Sequence, residues 1–193
     1  MYKNYLFPIQ IFLILEKINI NLFFSKKNYY NSYSLYTSNK NVLNISYVLK
    51  NELFLNTSSL IENSAIDLKY FNNNDDLVLN FFKKYNKILF YNFNIFNSKI
   101  KLYLYIFLNS YKSKTNLNSI DKIYPNASWI ERETSEMYNI YFYNKKDHRK
   151  LMLDYSFNDS PLLKDYPLEG RKQYFFSFFE NQVISQDNKY IEI

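Results

Sequence analysis

The chain contains no cysteine. That excludes a disulfide framework, a thiolate zinc site and a cysteine-held iron–sulfur cluster. A single histidine, His148, leaves no second ring for a two-histidine metal site, and at most one Ser-His pair. One glycine in 193 residues cannot build a phosphate-cradling loop. Long apolar runs are missing too. Leu6 to Leu15 is the most apolar stretch, but Pro8 and Gln10 interrupt it and Glu16 and Lys17 follow. About 20 apolar residues are needed to cross a bilayer. No small-residue cleavage site follows it, and there is no Arg- and Ser-rich transit peptide, so a protein working inside an organelle would be made there. The stretch is expected to be an N-terminal helix, with Ile11, Ile14, Leu15 and Ile18 on one face.

What the chain has in excess is Tyr (21) and Phe (18), with abundant Asn, Lys and Ile. All five have A/T-rich codons, so an A/T-rich genome accounts for much of the aromatic content and of the net charge of +6. Nearly all the cations are scattered lysines; Arg132, Arg149 and Arg171 are the only arginines. A basic organellar ribosomal protein that binds rRNA is the alternative this composition allows. An RNA binder should gather Arg and Lys with exposed aromatics on one face.

Periodicity organises the rest. A short strand is expected at Tyr33–Thr37, and a helix over Val42–Lys50, where Val42, Ile45 and Leu49 share a face. Leu60, Ile61, Ala65 and Leu68 are spaced for a second helix from Ser58 to about Leu68. Residues 72–76 should be a loop, with a helix over Leu77–Tyr85. Lys87–Phe96 and Lys99–Leu108 should be strands joined at Asn97-Ser98, the second with an aliphatic face of Ile100, Leu102, Leu104 and Ile106. Helices among a mostly antiparallel sheet make the expected fold class α+β, followed by an extended C-terminal segment. The expected organisation is a helical extension over 1–30, an α+β domain over 31–155 and a partner-binding segment over 156–193.

Beyond residue 120 lie Trp129, His148, Gly170, the three arginines and three of the four prolines. Residues with unfavoured codons are concentrated there. Ser128 is placed to cap a helix, with Glu131 completing a capping box. Ile130, Thr134, Met137 and Tyr138 should form its buried stripe, and Arg132 and Glu136 an ion pair one turn apart. Asn139 should stop the helix in the left-handed conformation, before a strand over Ile140–Tyr143. His148, between Asp147 and Arg149, is expected on a solvated loop.

The string Glu131-Arg132-Glu133-Thr134-Ser135-Glu136-Met137-Tyr138, followed by Lys145, Arg149, Lys150, Leu151 and Met152, resembles the signature of one family. This is the 30-kDa subunit of respiratory complex I, the NADH:ubiquinone oxidoreductase, also called NADH dehydrogenase subunit 9. Trp129 in the lead-in, Asp154-Tyr155-Ser156-Phe157 and Ser160-Pro161-Leu162-Leu163-Lys164-Asp165-Tyr166-Pro167-Leu168-Glu169-Gly170 extend the similarity. The pattern departs where a family tryptophan is Ser135, and where glycines are Asn139, Ser156 and Asp159. A histidine and an arginine are Ser160 and Leu163.

The resemblance implies a non-redox subunit of the peripheral arm, on the matrix side of the mitochondrial inner membrane. It would pack against the quinone-site (49-kDa type) subunit, without a membrane span or nucleic acid of its own. No catalytic, cofactor-binding or metal residues are implied for this chain; FMN, iron–sulfur clusters, NADH and ubiquinone belong to the assembly. The implied interface residues are Trp129, Glu131, Arg132, Glu133, Glu136, Met137, Tyr138, Arg149, Pro161, Leu162, Lys164, Asp165, Tyr166, Pro167, Leu168 and Gly170. From the residues themselves, 156–170 carries apolar side chains without regular spacing and must be covered by a partner or by the domain. Tyr174–Phe179 suits either a core strand or an interface anchor.

Overall fold

The computed structural model describes residues 22–27, 32–51, 58–70, 85–96, 99–109 and 117–188. In chain order come β1 (Leu22–Lys27), β2 (Ser32–Ser38), a 3-10 turn (Asn39–Asn41) and α1 (Val42–Asn51). Then follow β3 (Ser58–Asp67), β4 (Lys87–Ile95), β5 (Ile100–Leu108) and β6 (Leu117–Asn118). The remainder is α2 (Ala127–Tyr138), β7 (Phe142–Tyr143), β8 (Lys172–Ser177) and β9 (Gln182–Asp187). The expected helix near the N-terminus and the loop over 72–76 lie outside the described residues. So does the helix over Leu77–Tyr85, except Tyr85 itself.

Five strands make one sheet in the order β1-β2-β5-β4-β3. The expected β4–β5 hairpin is present, paired antiparallel from Lys87↔Leu108 to Ile95↔Ile100. β2 matches the expected short strand but pairs parallel with β5. A parallel neighbour needs a crossover, and α1, β3 and β4 supply it. β1, inside the stretch expected to be helical, is a strand antiparallel to β2.

β3 corrects the helix expected over Ser58–Leu68. Ser58 and Leu60 are buried, then Asn63, Ala65 and Asp67, while Ile61 and Ile66 are exposed. A bulge between Leu60 and Glu62 shifts the register, so the buried set changes from even to odd numbers. That break in a two-residue period imitates a helical spacing.

The inner face of the sheet carries Leu89, Tyr91, Phe93 and Ile95 from β4 and Ile100, Leu102, Leu104 and Ile106 from β5, all buried. Val42, Ile45, Val48 and Leu49 of α1 join them, with Leu117, Ile120, Tyr124, Ala127, Ile140 and Phe142, in one core. Truncating one of these aliphatic side chains to Ala costs about 2–5 kcal/mol. Edge strand β3 is covered by α2. Asn126 Nδ2 donates to Leu60 O at 3.2 Å and Thr134 Oγ1 to Asn63 O at 3.0 Å, which occupies carbonyls that an edge would otherwise offer to another strand. Among the described residues, no helix is long and apolar enough to cross a membrane.

Candidate functional site

α2 starts at Ala127, earlier than the expected cap at Ser128. Its N-cap, Asn126, makes no side-chain cap bond, and the first turn closes instead through Ala127 N–H to Tyr124 O and Ser128 N–H to Pro125 O. The capping box is therefore not formed, because Glu131 turns into the core. Its carboxylate accepts hydrogen bonds from Tyr91 Oη (3.1 Å), Ile120 N–H (3.0 Å), Ser119 Oγ and Lys145 Nζ (3.0 Å). Lys145 also donates to Ala127 O. Both charged side chains are buried. A charge withdrawn from water persists only when paired and saturated with hydrogen bonds, and Glu131 has four donors. Burial, reinforced by the Glu131 carboxylate, holds the Tyr91 hydroxyl well above its ordinary pKa.

Arg132 and Glu136 do not pair with each other, contrary to the expected ion pair. Arg132 Nε donates to Arg149 O at 2.8 Å and Nη2 to Lys150 O at 3.1 Å, while Nη1 lies 3.3 Å from Asp147 Oδ2. The Glu136 carboxylate accepts three successive amides, Leu151 (3.1 Å), Met152 (2.7 Å) and Leu153 (3.3 Å). Tertiary partners with backbone groups to satisfy outcompete a surface pair worth about 0.2–0.5 kcal/mol. Asp147 in turn takes Arg149 N–H (3.0 Å), Nε (3.0 Å) and Nη2 (2.9 Å). Those bonds hold its carboxyl far below the usual carboxylate range, with Arg132 adding to the effect. Three charged residues of α2 thus grip one irregular loop, residues 144–153.

The expected stripe is only partly buried. Thr134 is in the core, whereas Ile130, Met137 and Tyr138 are half-buried and Glu133 is exposed. Trp129 is 59% exposed, with the Arg132 guanidinium 5.3 Å from its ring centre. Asn139 ends the helix at φ 52°, as expected. At that end the Lys87 ammonium donates to Tyr138 O at 2.6 Å, a cation at the negative end of the helix. Burial lowers the pKa of Lys87, and Asp67 and Asp165 oppose the shift.

The segment after the loop is pinned to the domain along one line. Leu162 N–H donates to Met137 O at 3.2 Å, Lys164 N–H to Asp67 Oδ2 at 3.1 Å, and Asp165 pairs with Lys69. Lys150 Nζ donates to the carbonyls of Asp154, Tyr155 and Phe157, folding the segment's start onto the loop. Tyr166 packs against Phe157 with ring centres 5.9 Å apart, and its hydroxyl lies beside Gly170, whose φ of +74° few other residues adopt. Gly170 N–H closes a turn on Pro167 O. Pro161 and Pro167 are half-buried, while Leu162 and Leu168 are exposed. Lys164 and Asp165 of the implied interface set thus serve the chain's own fold.

β8 and β9 then form a two-stranded hairpin, paired from Lys172↔Asp187 to Ser177↔Gln182. The aromatic run is exposed on both faces: Tyr174, Phe175, Phe176, Phe178 and Phe179, the last fully so. A core-strand reading of Tyr174–Phe179 does not hold. A solitary two-stranded ribbon is marginal in water.

Among the described residues, no group of three His, Cys, Asp or Glu is placed to hold a metal ion. His148 is exposed and stacks on Tyr141 at 5.0 Å. The arrangement presents exposed aromatic and charged side chains around the loop and the hairpin. Sequence reasoning did not find the roles of Tyr91, Ser119, Asp147, Asp67 and Lys87. For the loop, the only signal was the density of charge over residues 145–150.

Residues 35–172 match the family model for the respiratory-chain NADH dehydrogenase 30-kDa subunit. The chain is 30% identical over 187 residues to NADH-ubiquinone oxidoreductase subunit 9 of Paramecium primaurelia, covering 97% of this chain and 87% of that protein. With NADH dehydrogenase (ubiquinone) iron-sulfur protein 3 of Marchantia polymorpha it shares 37% identity over 90 residues, 47% of this chain and 44% of that protein. Among solved structures, the fold is shared with the membrane-bound sulfane sulfur reductase, an archaeal respiratory membrane complex. The TM-score is 0.61 at 15% identity, over 83% of this chain and 85% of that one. The trypsin-resistant fragment of Nqo5 aligns with a TM-score of 0.51 at 9% identity, over 74% of this chain and 97% of that fragment.

Proposed function

The chain belongs to the 30-kDa subunit family of respiratory-chain NADH dehydrogenase, and we propose that it works as a docking subunit of complex I without redox chemistry of its own. Electron transfer from NADH to ubiquinone, with FMN and iron–sulfur clusters, belongs to the assembly. This chain has no cysteine to hold a cluster. Its place is the matrix side of the peripheral arm, at the inner membrane, against the quinone-site subunit.

One observation carries the reading. Met152, Tyr155, Leu162, Leu168, Tyr174, Phe175, Phe176, Phe178, Phe179 and Val183 are all large, apolar or aromatic, and exposed within a short stretch of chain. The main domain buries most of its comparable side chains and exposes Tyr47, Ile61, Ile66, Tyr70, Phe96, Trp129 and Tyr141 at positions spread along the chain. Exposed apolar area on this scale marks a surface meant to be covered, and its aromatic content suits an interface. The pinned segment 156–171 sets where the hairpin leaves the domain. The family match over most of the chain displaces the ribosomal reading.

The test places a photo-crosslinking residue at Phe178 in the assembled complex. Cross-links to the quinone-site subunit are expected. Their absence, or capture only by other subunits, overturns the proposed partner.

A further inference from the structure

The tail that carries the exposed hairpin leaves the domain at a point fixed by one buried side chain, and we propose that Asp67 is a positioning residue for docking. The proposal rests on the reading that the hairpin is the docking surface. Asp67 ends β3, outside the signature string, and is only 8% exposed. Withdrawing a carboxylate from water is costly unless its oxygens are bonded and its charge is offset. One oxygen takes Lys69 N–H at 3.0 Å, within the turn after β3, and the other takes Lys164 N–H at 3.1 Å, from the tail. Lys87 stands opposite in the β3–β4 ladder and supplies the positive charge.

The bond to Lys164 falls on a three-way seam. Lys87 Nζ holds Tyr138 O at the end of α2, and the carbonyl before it, Met137 O, takes Leu162 N–H. Leu162 and Lys164 are therefore fixed to a helix end and a strand end that Lys87 ties together. Asp165 adds a pair with Lys69 at the surface, where an ion pair is worth little. A carboxylate accepting an amide is the stronger and more directional tie.

Beyond the seam, the path to the hairpin is tied at short intervals. Tyr166 N–H returns to Leu163 O at 3.0 Å, and Gly170 N–H to Pro167 O at 3.0 Å. Asn188, just past β9, donates through Nδ2 to Glu169 O and Gly170 O and through its N–H to Arg171 O. A displacement at Lys164 is thus carried to Lys172, where β8 begins. A tail held at one exit meets its partner already ordered, whereas a released tail must lose that freedom on docking. Asp67 acts on assembly through the position of Lys164, without touching the partner.

The experiment uses the full chain and the intact complex. The chain has no native cysteine, so spin labels at Tyr47→Cys and Leu168→Cys, both exposed, report one distance from α1 to the tail. Asp67→Asn removes the charge and one acceptor oxygen. Lys164→Pro removes the N–H from the other side, at the second position of the turn Leu163–Tyr166, which proline suits; it decides the matter if Asp67→Asn folds poorly. Lys164→Ala keeps the N–H and controls for the side chain. Wild type and Lys164→Ala should give a narrow distance distribution. Asp67→Asn and Lys164→Pro should broaden it, with amide protection of β4 and β5 unchanged. Without labels, and at limiting chain, these two variants should enter the complex about ten-fold less than Lys164→Ala. Narrow distances in both, or undiminished incorporation, overturn the proposal. Phe178→Ser, with the tail still held, should combine narrow distances with lowered incorporation. Its normal incorporation would overturn the docking reading, and the distances would still decide whether Asp67 aims the tail.

Discussion

Lys145 Nζ lies 3.0 Å from Glu131 Oε2, and neither side chain reaches solvent. This pair fastens the start of the loop to the middle of α2, and Tyr91, Ser119 and Ile120 complete the carboxylate's bonding. Glu131→Ala leaves the Lys145 ammonium buried without its partner, a loss expected to be about 3–5 kcal/mol. Urea unfolding of the full chain measures it. The double change Glu131→Gln with Lys145→Met should recover much of the loss, because it strands no charge.

Arg132 and Glu136 act on the loop rather than on each other. Glu136→Gln should deprotect the amides of Leu151, Met152 and Leu153 in hydrogen exchange. Global stability should change by less than about 1.5 kcal/mol, the net worth of a typical hydrogen bond. Uniform loss of protection across the sheet would contradict this division. Arg132→Ala, which as a bare interface residue would have left the isolated domain untouched, is instead expected to free the backbone at residues 147–150.

Much of the fold was visible in residue spacing, and the exceptions have physical causes. The aliphatic alternation of Ile100, Leu102, Leu104 and Ile106 marked β5, and Asn139 marked the end of α2 because few residues besides glycine tolerate a positive φ there. β3 was hidden by the bulge at Leu60/Glu62. The parallel pairing of β2 with β5 depends on contacts 69 positions apart (Tyr33 with Leu102), which no local pattern encodes. In α2 the residues that matter were visible but their work was not. Local rules pointed Glu131 at a cap and Arg132 at Glu136, while the partners chosen lie in the loop and across the sheet.

Asp147 gives the loop a pH dependence of definite sign. Hydrogen bonds from the Arg149 side chain, then from its backbone N–H, hold the folded-state pKa far below the usual value near 3.9. Ionised Asp147 therefore contributes in full above about pH 5, and the contribution fades as acid carries the pH below 3.9 toward the folded value. Comparing urea midpoints at about pH 5 and pH 2.5, the wild type should lose more than Asp147→Asn. Equal losses would show that the pair adds nothing to folding.

Asn139 adopts φ 52° with its N–H on Ser135 O. Asn139→Gly should preserve or slightly raise stability, and Asn139→Ala should lower it by about 1 kcal/mol, since a Cβ without a polar group strains the left-handed conformation. Thermal melting of the two variants checks the order.

The central claim is that the exposed aromatic hairpin is covered in the assembled enzyme. Hydroxyl-radical footprinting of Tyr174, Phe178 and Phe179, in the isolated chain and in intact complex I, tests it most directly. All three should oxidise readily in the isolated chain and be strongly protected in the complex. Equal oxidation in both would contradict it.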